Sequence, residues 1–527
     1  MRIGGLASGM DTEQMVKDLM KVERLRVHRF LQQEQRLKWR QEAFYNVNKT
    51  IANFILNSRK DLGLNQVSYT GAIQKNSIDR LGWIKKATSS NEGIATATAT
   101  ANALNGSHSI EVVELAKSAS IISDGNVEAG LGIIGTVAFT LETKEGKSAE
   151  ISLTLDANST VHDVAKAINN ANLGVSAAYD ENLKRLMISA KNTGAENYIK
   201  VTLDNNNFVS DKLKLGVAVV GNAAYDAVKI AGKNSVINFN GVGMEQSSNS
   251  VSVFGFDIQL KAKGSTTINI DTNVDGIIEK IKGFVSQYNS LIDDVSKQLS
   301  QEVHRNFAPL TNEQKEAMSE KDIEKWEEKA KSGMLRNNET LSRMLQKIRG
   351  NLYKNVDLGG GNTIHLTDVG ITTGTYQERG KLVIDEQKLR SAISENPNNV
   401  LDMFFKIPTT GLEGEAKLKE TGLVQRLYDD LVAGMKETIR HSGPGEDAAL
   451  FRNVQGNMLM DFVTQHSNIS VITKDLTSLN TRIAREEQIL INKEDRYWQR
   501  FAAMEKAMNS MSQQSAWLMS QLGMGQQ

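Results

Sequence analysis

The sequence contains no cysteine and only four prolines among its 527 residues. Without cysteine there can be no disulfide, no thiolate nucleophile and no cysteine-ligated metal. A cytosolic protein could lack cysteine by chance, and so could a large extracellular protein that needs no disulfides. Every proline lies at position 309 or later, and proline interrupts helices. The composition is therefore compatible with a helical framework, although it does not establish one.

Net charge and long apolar runs are also absent. The chain has 62 basic and 62 acidic residues, so no overall field attracts nucleic acid or an anionic membrane. No apolar run approaches the roughly 18 to 20 residues that span a bilayer, so we expect no membrane insertion. The N-terminal segment lacks a continuous apolar core, and we therefore do not expect a Sec-type signal peptide.

The motifs that usually mark enzymes are missing or stand in the wrong context. GLGIIG, with Gly130, Gly132 and Gly135, matches a dinucleotide fingerprint, but the strand-like TVAFTLE follows it where a helix is required. The seven histidines show no metal-binding spacing. Acidic pairs such as Asp293 and Asp294 lie in highly charged helical sequence, typical of a solvated surface. We predict no catalytic residues, no metal and no cofactor.

The last 59 residues carry an apolar residue at every seventh position. This repeat predicts a long helix whose narrow apolar stripe faces another helix. Its members are Ile469, Leu476, Ile483, Leu490, Tyr497, Met504, Met511 and Leu518.

The first 60 residues also predict an amphipathic helix. Asp11 followed by Gln14 fits a capping box at its start, and apolar residues then recur at helical spacing. Several basic residues lie between them, and this basic face is either simply solvated or binds a partner or lines a channel. The basic residues are Arg24, Arg26, Arg29, Arg36, Lys38 and Arg40.

The middle of the chain reads mainly as strands up to about residue 270 and as helices after it. HSIEVVEL, TVAFTLE and AEISLTLD alternate apolar and polar residues at period two. One helix, capped by Ser159 or Thr160, interrupts the strands, and a hairpin around Glu181 and Asn182 follows it. Further along, Asn396–Asn398 predicts a turn and the residues around Gly443 predict a loop. We predict an α+β multidomain protein with terminal coiled-coil legs, a helical domain and β-rich domains inserted in the middle. The predicted boundaries are residues 1–45 with 466–527 for the leg, 46–80 with 273–465 for the helical domain, and 81–272 for the β-rich region, as two subdomains with one inserted in the other.

Several segments in order resemble the bacterial flagellar filament cap family, also called flagellar hook-associated protein 2. They include IGGLASGMDTEQMVKDLMKVE at the N-terminus, SIEVVELAKSASIIS, TVHDVAKAINNANLGVSAAY and NFNGVGMEQSSNSV followed by FGFDIQLKAKG. FVSQYNSLI, PLTNEQKEAMSEKDIEKWEEKAKSGMLRNNETL, ITTGTYQERGKLVIDEQKL and the final heptad helix complete the series. The resemblance spans nearly the whole chain, with weak matches around residues 200–235 and 408–455.

This resemblance implies a non-enzymatic assembly factor that is secreted through the flagellar type III apparatus. Such a protein sits at the distal tip of the filament as a ring-shaped homo-oligomer, commonly a pentamer. It prevents loss of exported flagellin and promotes flagellin folding and polymerisation. We also expect a cytosolic export chaperone for the C-terminal helix, because that helix carries an apolar stripe.

Two alternatives remain at this stage: a hook-filament junction protein, which also has terminal coiled coils, and an extracellular adhesin. In the adhesin, loops such as Asn205–Asn207 would bind host mucin or other glycans. For the cap, we predict contacts to other subunits or flagellin through the leg helices, although the same residues could only hold the two helices of one chain together. They are Val16, Leu19, Phe30, Leu476, Ile483, Leu490, Tyr497 and Phe501.

Overall fold

The computed structural model describes residues 11–67, 73–216, 229–374, 378–443 and 470–523. The chain divides into two compact units. One, the helical unit, joins Met1–Lys75 to Ile278–Gln527, and the other, the β unit, comprises Asn76–Ile277. The β unit is thus inserted in the sequence of the helical unit.

Long helices dominate both ends of the chain. In chain order the helices are α1 (Thr12–Asp61), α2 (Val161–Asn170), α3 (Val274–Ser300), α4 (Asn312–Glu316), α5 (Glu320–Lys331), α6 (Glu339–Leu352), α7 (Glu386–Glu395), α8 (Pro397–Phe405), α9 (Gly414–Glu420), α10 (Leu423–Ser442) and α11 (Val471–Gly523).

The strands cluster in the middle of the sequence, and all of the described pairs are antiparallel. They are β1 (Asn65–Val67), β2 (Ile73–Lys75), β3 (Lys85–Ser89), β4 (Ala95–Ala99), β5 (Gly106–Glu114), β6 (Ser118–Ile122), β7 (Gly135–Lys144), β8 (Lys147–Leu155), β9 (Val175–Asp180), β10 (Arg185–Thr193), β11 (Tyr198–Asp204), β12 (Ile230–Ala231), β13 (Ser235–Phe239), β14 (Val242–Gln246), β15 (Ser250–Val253), β16 (Phe256–Leu260), β17 (Gly264–Thr272), β18 (Val356–Gly359), β19 (Asn362–Ile364), β20 (Ile371–Thr373) and β21 (Leu382–Ile384).

The β unit contains two hydrophobic cores, one nested within the other in sequence. The outer core lies between the sheets β14-β13-β5-β17-β3 and β15-β16-β4 and includes buried Ile110 and Phe256. The inner core, formed by residues 119–215, joins the sheets β12-β11-β7-β8 and β6-β10-β9. Alternating burial along β5 and β8 confirms the period-two prediction for these strands, whereas residues 137–139 of β7 are buried in succession.

Helix α2 closes the inner core where the sequence predicts a helix. Thr160 and Asp163 form its capping box, and its apolar face is buried. The predicted hairpin that follows is also confirmed, with Asp180 paired to Arg185. A strand, β7, follows the GLGIIG segment, so the helix that a dinucleotide would need is not there.

Helix α1 begins and ends through local backbone chemistry. The Asp11 side chain caps it by accepting a hydrogen bond from the Gln14 backbone N–H at 2.9 Å. At the other end Gly63 adopts a φ of +74°, which favours glycine and turns the chain out of the helix. Between these points the buried residues are widely spaced up to Trp39 and occur in every turn from Phe44 to Ser58.

Helix α10 was not predicted from the sequence, although it lies at the centre of the helical unit. Most of its residues are buried, including Arg426. The Arg426 guanidinium donates to the carbonyls of Asn351 and Lys354 at 3.1 and 2.7 Å, and to those of Asn355 and Lys419, both at 2.9 Å. Burial lowers the pKa of Arg426 to about 10. One arginine thus joins the end of α6 to α9 and α10.

One local prediction differs from the structure. The Asn-Pro-Asn segment is not a simple turn, because Pro397 occupies the first turn of α8, where a missing N–H is tolerated. The charged stretch after Pro309 forms two helices, α4 and α5, each with its own N-cap, Thr311 and Ser319. The predicted closing loop at the end of α10 includes Gly443, and residues 444–469 lie outside the described part of the chain.

Candidate functional site: the terminal helix pair

Residues 12–45 of α1 pack against α11, whose last turns extend beyond them. We call these residues of α1 and the whole of α11 the terminal helix pair. Glu23 lies opposite Lys493, whose ammonium contacts one carboxylate oxygen, and Tyr497, whose hydroxyl donates to the other at 3.2 Å. Arg26 lies 3.1 Å from Glu486. The sequence number rises along α1 as it falls along α11, so the two helices are antiparallel.

Glu23 is a charged group placed on a mainly apolar seam. The hydrogen bond from Lys493 is the main cause that holds the pKa of Glu23 below its usual value, and the Tyr497 hydroxyl acts in the same direction. Because these partners come from the other helix, they specify which turn of α11 lies beside this turn of α1. A polar group at a seam position commonly fixes register in this way, at a cost in stability.

Seven of the eight predicted contact residues are buried or half-buried in the terminal helix pair, and one is exposed. Val16 and Ile483 are buried in the pair, and Phe30, Leu476, Leu490, Tyr497 and Phe501 are half-buried along it. Leu19 differs, since 41% of its surface is exposed and Met20 takes the seam position instead. The buried stripe runs through residues 16, 20, 23 and 27, so Leu19 falls one position before it. Whether these residues contact another protein stays a prediction.

The C-terminal part of the predicted stripe lies free of α1. Given the register at Glu23, Asp11 lies opposite roughly Ala507, so the rest of α11 extends about 24 Å past the described part of α1. Met511 and Leu518 belong to the predicted heptad, yet they are 70% and 52% exposed. Trp517 is 60% exposed. Ile469, the first predicted member, lies outside the described residues.

The opposite end of the pair, its root, is firmly packed on α10. Gln41 and Tyr45 of α1 both donate to the carbonyl of Ser442, at 2.6 and 3.1 Å. The buried Asn48 amide oxygen accepts a hydrogen bond from the Thr438 hydroxyl at 2.5 Å. These contacts tie the middle of α1 to the end of α10. Ser470, the residue before α11, lies close to Gly443 at the end of α10, so α11 begins beside these contacts.

Sequence reasoning missed a segment that lies along one side of α1. Residues 301–338, including α4 and α5, contact it through Glu313, which lies 3.6 Å from Arg24 and 3.8 Å from His28. Gln32 also donates to the carbonyl of Pro309 at 2.9 Å. A cleft of about 530 Å³ with charged walls opens beside Glu313. The run of lysines and glutamates in this segment gave no indication of what it packs against.

Among the residues the structure describes, no cluster of histidines, aspartates and glutamates could hold a metal ion. In the same residues, none of the helices is long and apolar enough to cross a bilayer. The terminal helix pair thus combines a packed seam, an exposed helix end and exposed charged flanks.

Three family models match the chain and together cover most of it. The flagellar hook-associated protein 2 N-terminus matches residues 8–119, the flagellin hook IN motif matches residues 136–192, and the flagellar hook-associated protein 2 C-terminus matches residues 232–513. The residues matched by the two hook-associated models thus include parts of both the terminal helices and the β unit.

Curated relatives and a solved structure agree with these matches. A flagellar hook-associated protein 2 from Halalkalibacterium halodurans is 30% identical, with 98% of each chain covered. One from Escherichia coli K12 is 23% identical, with 82% of each chain covered. The D1-D2-D3 domains of the flagellar cap protein FliD from Escherichia coli share the fold, with a TM-score of 0.51, 21% identity and coverage of 74% of this chain and 95% of that one. The chain belongs to the flagellar hook-associated protein 2 family.

Proposed function

We propose that this protein caps the tip of the bacterial flagellar filament, where it prevents loss of exported flagellin and promotes its polymerisation. The observation that carries the proposal is the similarity over 98% of the chain to a hook-associated protein 2, in both the terminal helices and the β unit. The solved structure with a similar fold is titled a flagellar cap protein. In this role the protein acts by binding other proteins.

In this proposal the terminal helix pair makes the contacts with flagellin or with neighbouring subunits. Its root is anchored to α10 through Gln41 and Tyr45. Its other end exposes Met511 and Leu518, which continue the heptad repeat without a partner in the described part of this chain. Exposed apolar residues at helical spacing are what a helix presents to another helix. The half-buried members of the predicted set extend this surface along the pair.

The same features support the other proposed partners. Self-association as a ring, for which a pentamer is our expectation, would place several terminal helix pairs around the filament tip. An export chaperone would cover the exposed apolar residues of α11 before secretion through the type III apparatus, because such residues promote aggregation. The working location is then extracellular, at the filament tip. Binding of host mucin would be an added role.

The matched names favour the cap over the two alternatives. The hook-filament junction protein and the adhesin share with the cap a terminal helix pair or an exposed β unit, so the fold alone does not separate them. The matched relatives and models carry the name of hook-associated protein 2. We therefore retain the cap as the proposed function.

Deletion of the gene tests the proposal. We expect bare hooks on the cells and monomeric flagellin in the medium, with both defects reversed by the wild-type gene on a plasmid. Quantitative immunoblots of flagellin in the medium and on sheared filaments give the measurement. Normal filaments in the deletion strain would contradict the proposal and would make the extracellular adhesin the better account.

A further inference from the structure

One flank of the terminal helix pair is lined by arginines. In an antiparallel pair, the positions just before the seam on both helices lie on the same side. His441 supports this placement, because Arg40 of α1 and Asp475 of α11 both act on its pKa. We call this side the arginine flank, and its arginines are Arg26, Arg29, Arg36, Arg40, Arg482, Arg485 and Arg496.

Negative charge on this flank is scarce. Asp475 is the acidic residue among the corresponding flank positions of the two described helices. Arg26 pairs with Glu486 of the seam, whereas Arg29 and Arg36 have no ion pair with any described residue. All of the flank arginines except Arg40, which is half-buried, are exposed. Like charges that share one flank repel one another, so an acidic partner would relieve that repulsion.

The opposite flank of the pair differs in its charge and in having another segment of the chain packed against it. There the segment 301–338 lies against α1, and the Glu313 carboxylate lies 3.6 Å from Arg24 and 3.8 Å from His28. Glu487 and Glu494 of α11 occupy the corresponding positions on that side. The excess of arginine is therefore specific to one side of the pair and is not a general property of these helices.

The arginine flank continues into apolar surface toward the start of α1. Met15, Leu19 and Val22 are 41%, 41% and 68% exposed, and their spacing of four and three places them on one helical face. From Met15 to Arg36 this face is about 32 Å long, which matches a helix of about six turns. It combines apolar anchors at one end with guanidinium groups, which bind carboxylates in two-pronged geometry, along the rest.

We propose that the arginine flank, with Met15, Leu19 and Val22, is the docking surface for an acidic amphipathic α-helix of a partner protein. The inference rests on the proposed function, in which flagellin is the partner of the terminal helix pair, and it adds which face binds and the chemistry of what it binds. The apolar anchors favour a protein helix over a polyanion, because a polyanion bound by charge alone would need no such anchors.

The test compares two double charge reversals in the full-length protein. Arg29→Glu with Arg36→Glu changes the arginine flank, and Lys21→Glu with Lys38→Glu makes the same change in net charge elsewhere on α1. Purified monomeric flagellin of the same bacterium is the probe, titrated by fluorescence anisotropy between about 50 and 500 mM NaCl. Thermal melting checks that each variant is folded.

We expect the arginine reversal to weaken flagellin binding at least about tenfold and the lysine reversal to change it less than about twofold. Wild-type affinity should fall as salt rises. Equal binding by both variants, or equal loss in both, would overturn the docking surface. So would flagellin binding that is unchanged while binding to vesicles with 30% anionic lipid is lost, which would assign the arginines to a lipid surface.

Failure of the proposed function gives a different result. If the wild-type gene does not restore filaments to the deletion strain, or the deletion strain grows normal filaments, the cap proposal fails whatever the variants do. If the wild type restores them and the arginine reversal restores them equally well, with unchanged flagellin affinity, only the docking surface fails.

Discussion

The root and the free end of the terminal helix pair share one heptad repeat but differ in burial. At the root, Ile483 is 7% exposed and Phe44 of α1 is fully buried. Toward the end of α11, Met511 and Leu518 stand at the same heptad position as Ile483 and are more than half exposed. The same sequence pattern thus serves folding at one end and remains available for binding at the other.

This difference shows that a heptad repeat predicts which face of a helix is apolar but not what packs against that face. At the root, α10 and α1 supply the packing surface and fix it with hydrogen bonds to Ser442. At the free end the described part of the chain supplies nothing to cover the stripe. The residues that matter for stability and those that matter for binding should therefore separate along one helix, and substitutions can test that separation.

The largest effect is expected when charge enters the seam at the root. Leu476→Asp with Ile483→Asp should lower the free energy of unfolding of the helical unit by about 4 kcal/mol or more, because it places unpaired carboxylates in a packed seam. Ring formation and filament growth should be lost. Met511→Asp with Leu518→Asp is the matched control at the same heptad position, and urea unfolding should show a change within about 0.5 kcal/mol. Equal destabilisation by both pairs would contradict the comparison.

Removing a large side chain at the root should have the next largest effect. Phe44 is fully buried and its ring contacts that of His441 at 5.4 Å between centroids. Phe44→Ala should cost about 3 to 5 kcal/mol by leaving a cavity, measured by urea unfolding. Trp517→Ala, at the free end, is the control and should change stability by less than about 0.5 kcal/mol. A Trp517 effect as large as that of Phe44 would show that the free end is covered.

Arg426 joins the end of α6 to α9 and α10, and α10 is the helix on which the root packs. Arg426→Met keeps the volume but leaves four backbone carbonyls without their donor, so we expect a loss of about 3 kcal/mol in the free energy of unfolding. Arg426→Lys should recover part of it, since an ammonium can still donate to some of these carbonyls. A neutral Arg426→Met variant would mean that the hydrogen bonds contribute little to the fold.

The root should also respond to mild acid. Burial, followed by the nearby Arg40, lowers the pKa of His441. The unfolded chain then binds the proton more readily than the folded one, so the stability from neutral His441 is present above about pH 6.5 and is lost as the pH falls below it. Thermal melting between pH 7.5 and 5.5 should show this loss and His441→Gln should reduce it. His162→Gln, in the β unit, is the control and should leave the dependence of the helical unit unchanged.

The smallest effect is expected at Glu23, where the pair is held in register. Lys493 lowers the pKa of Glu23, so its contribution is present above about pH 4.5 and is lost as the pH falls through the lower value in the folded chain. Glu23→Gln should barely change global stability but should raise hydrogen exchange in α1 residues 12–23. No change in exchange there would show that the apolar seam alone sets the register.

Much of the fold could be predicted because the relevant signals are local. The cap at Asp11, the amphipathic face of α2 and the alternation along β5 each act within a few residues. Helix α10 was not predicted, although Leu423, Leu427 and Leu431 recur at helical spacing on its buried face, a pattern that could have identified it. The contact of Glu313 with α1 joins residues almost 300 positions apart, and no periodicity in the sequence reports such a contact.

The site was only partly predictable for the same reason. The heptad identified Ile483 and Leu518 equally well, but burial of one and exposure of the other depends on how far α1 reaches. The basic residues of α1 were visible in the sequence, with solvation and partner binding both left open. The placement of four of them, Arg26, Arg29, Arg36 and Arg40, on one flank emerged only when the antiparallel register placed the α11 arginines beside them.

Hydrogen exchange of the full-length protein, with and without monomeric flagellin, tests most directly whether the root serves folding and the free end serves binding. Without flagellin, amides of α11 near Trp517 should exchange on the order of 1,000-fold faster than those near Ile483. With flagellin, α1 residues 15–36 and the free end of α11 should gain protection while the root stays unchanged. Protection confined to the β unit, with none on the terminal helix pair, would contradict the account.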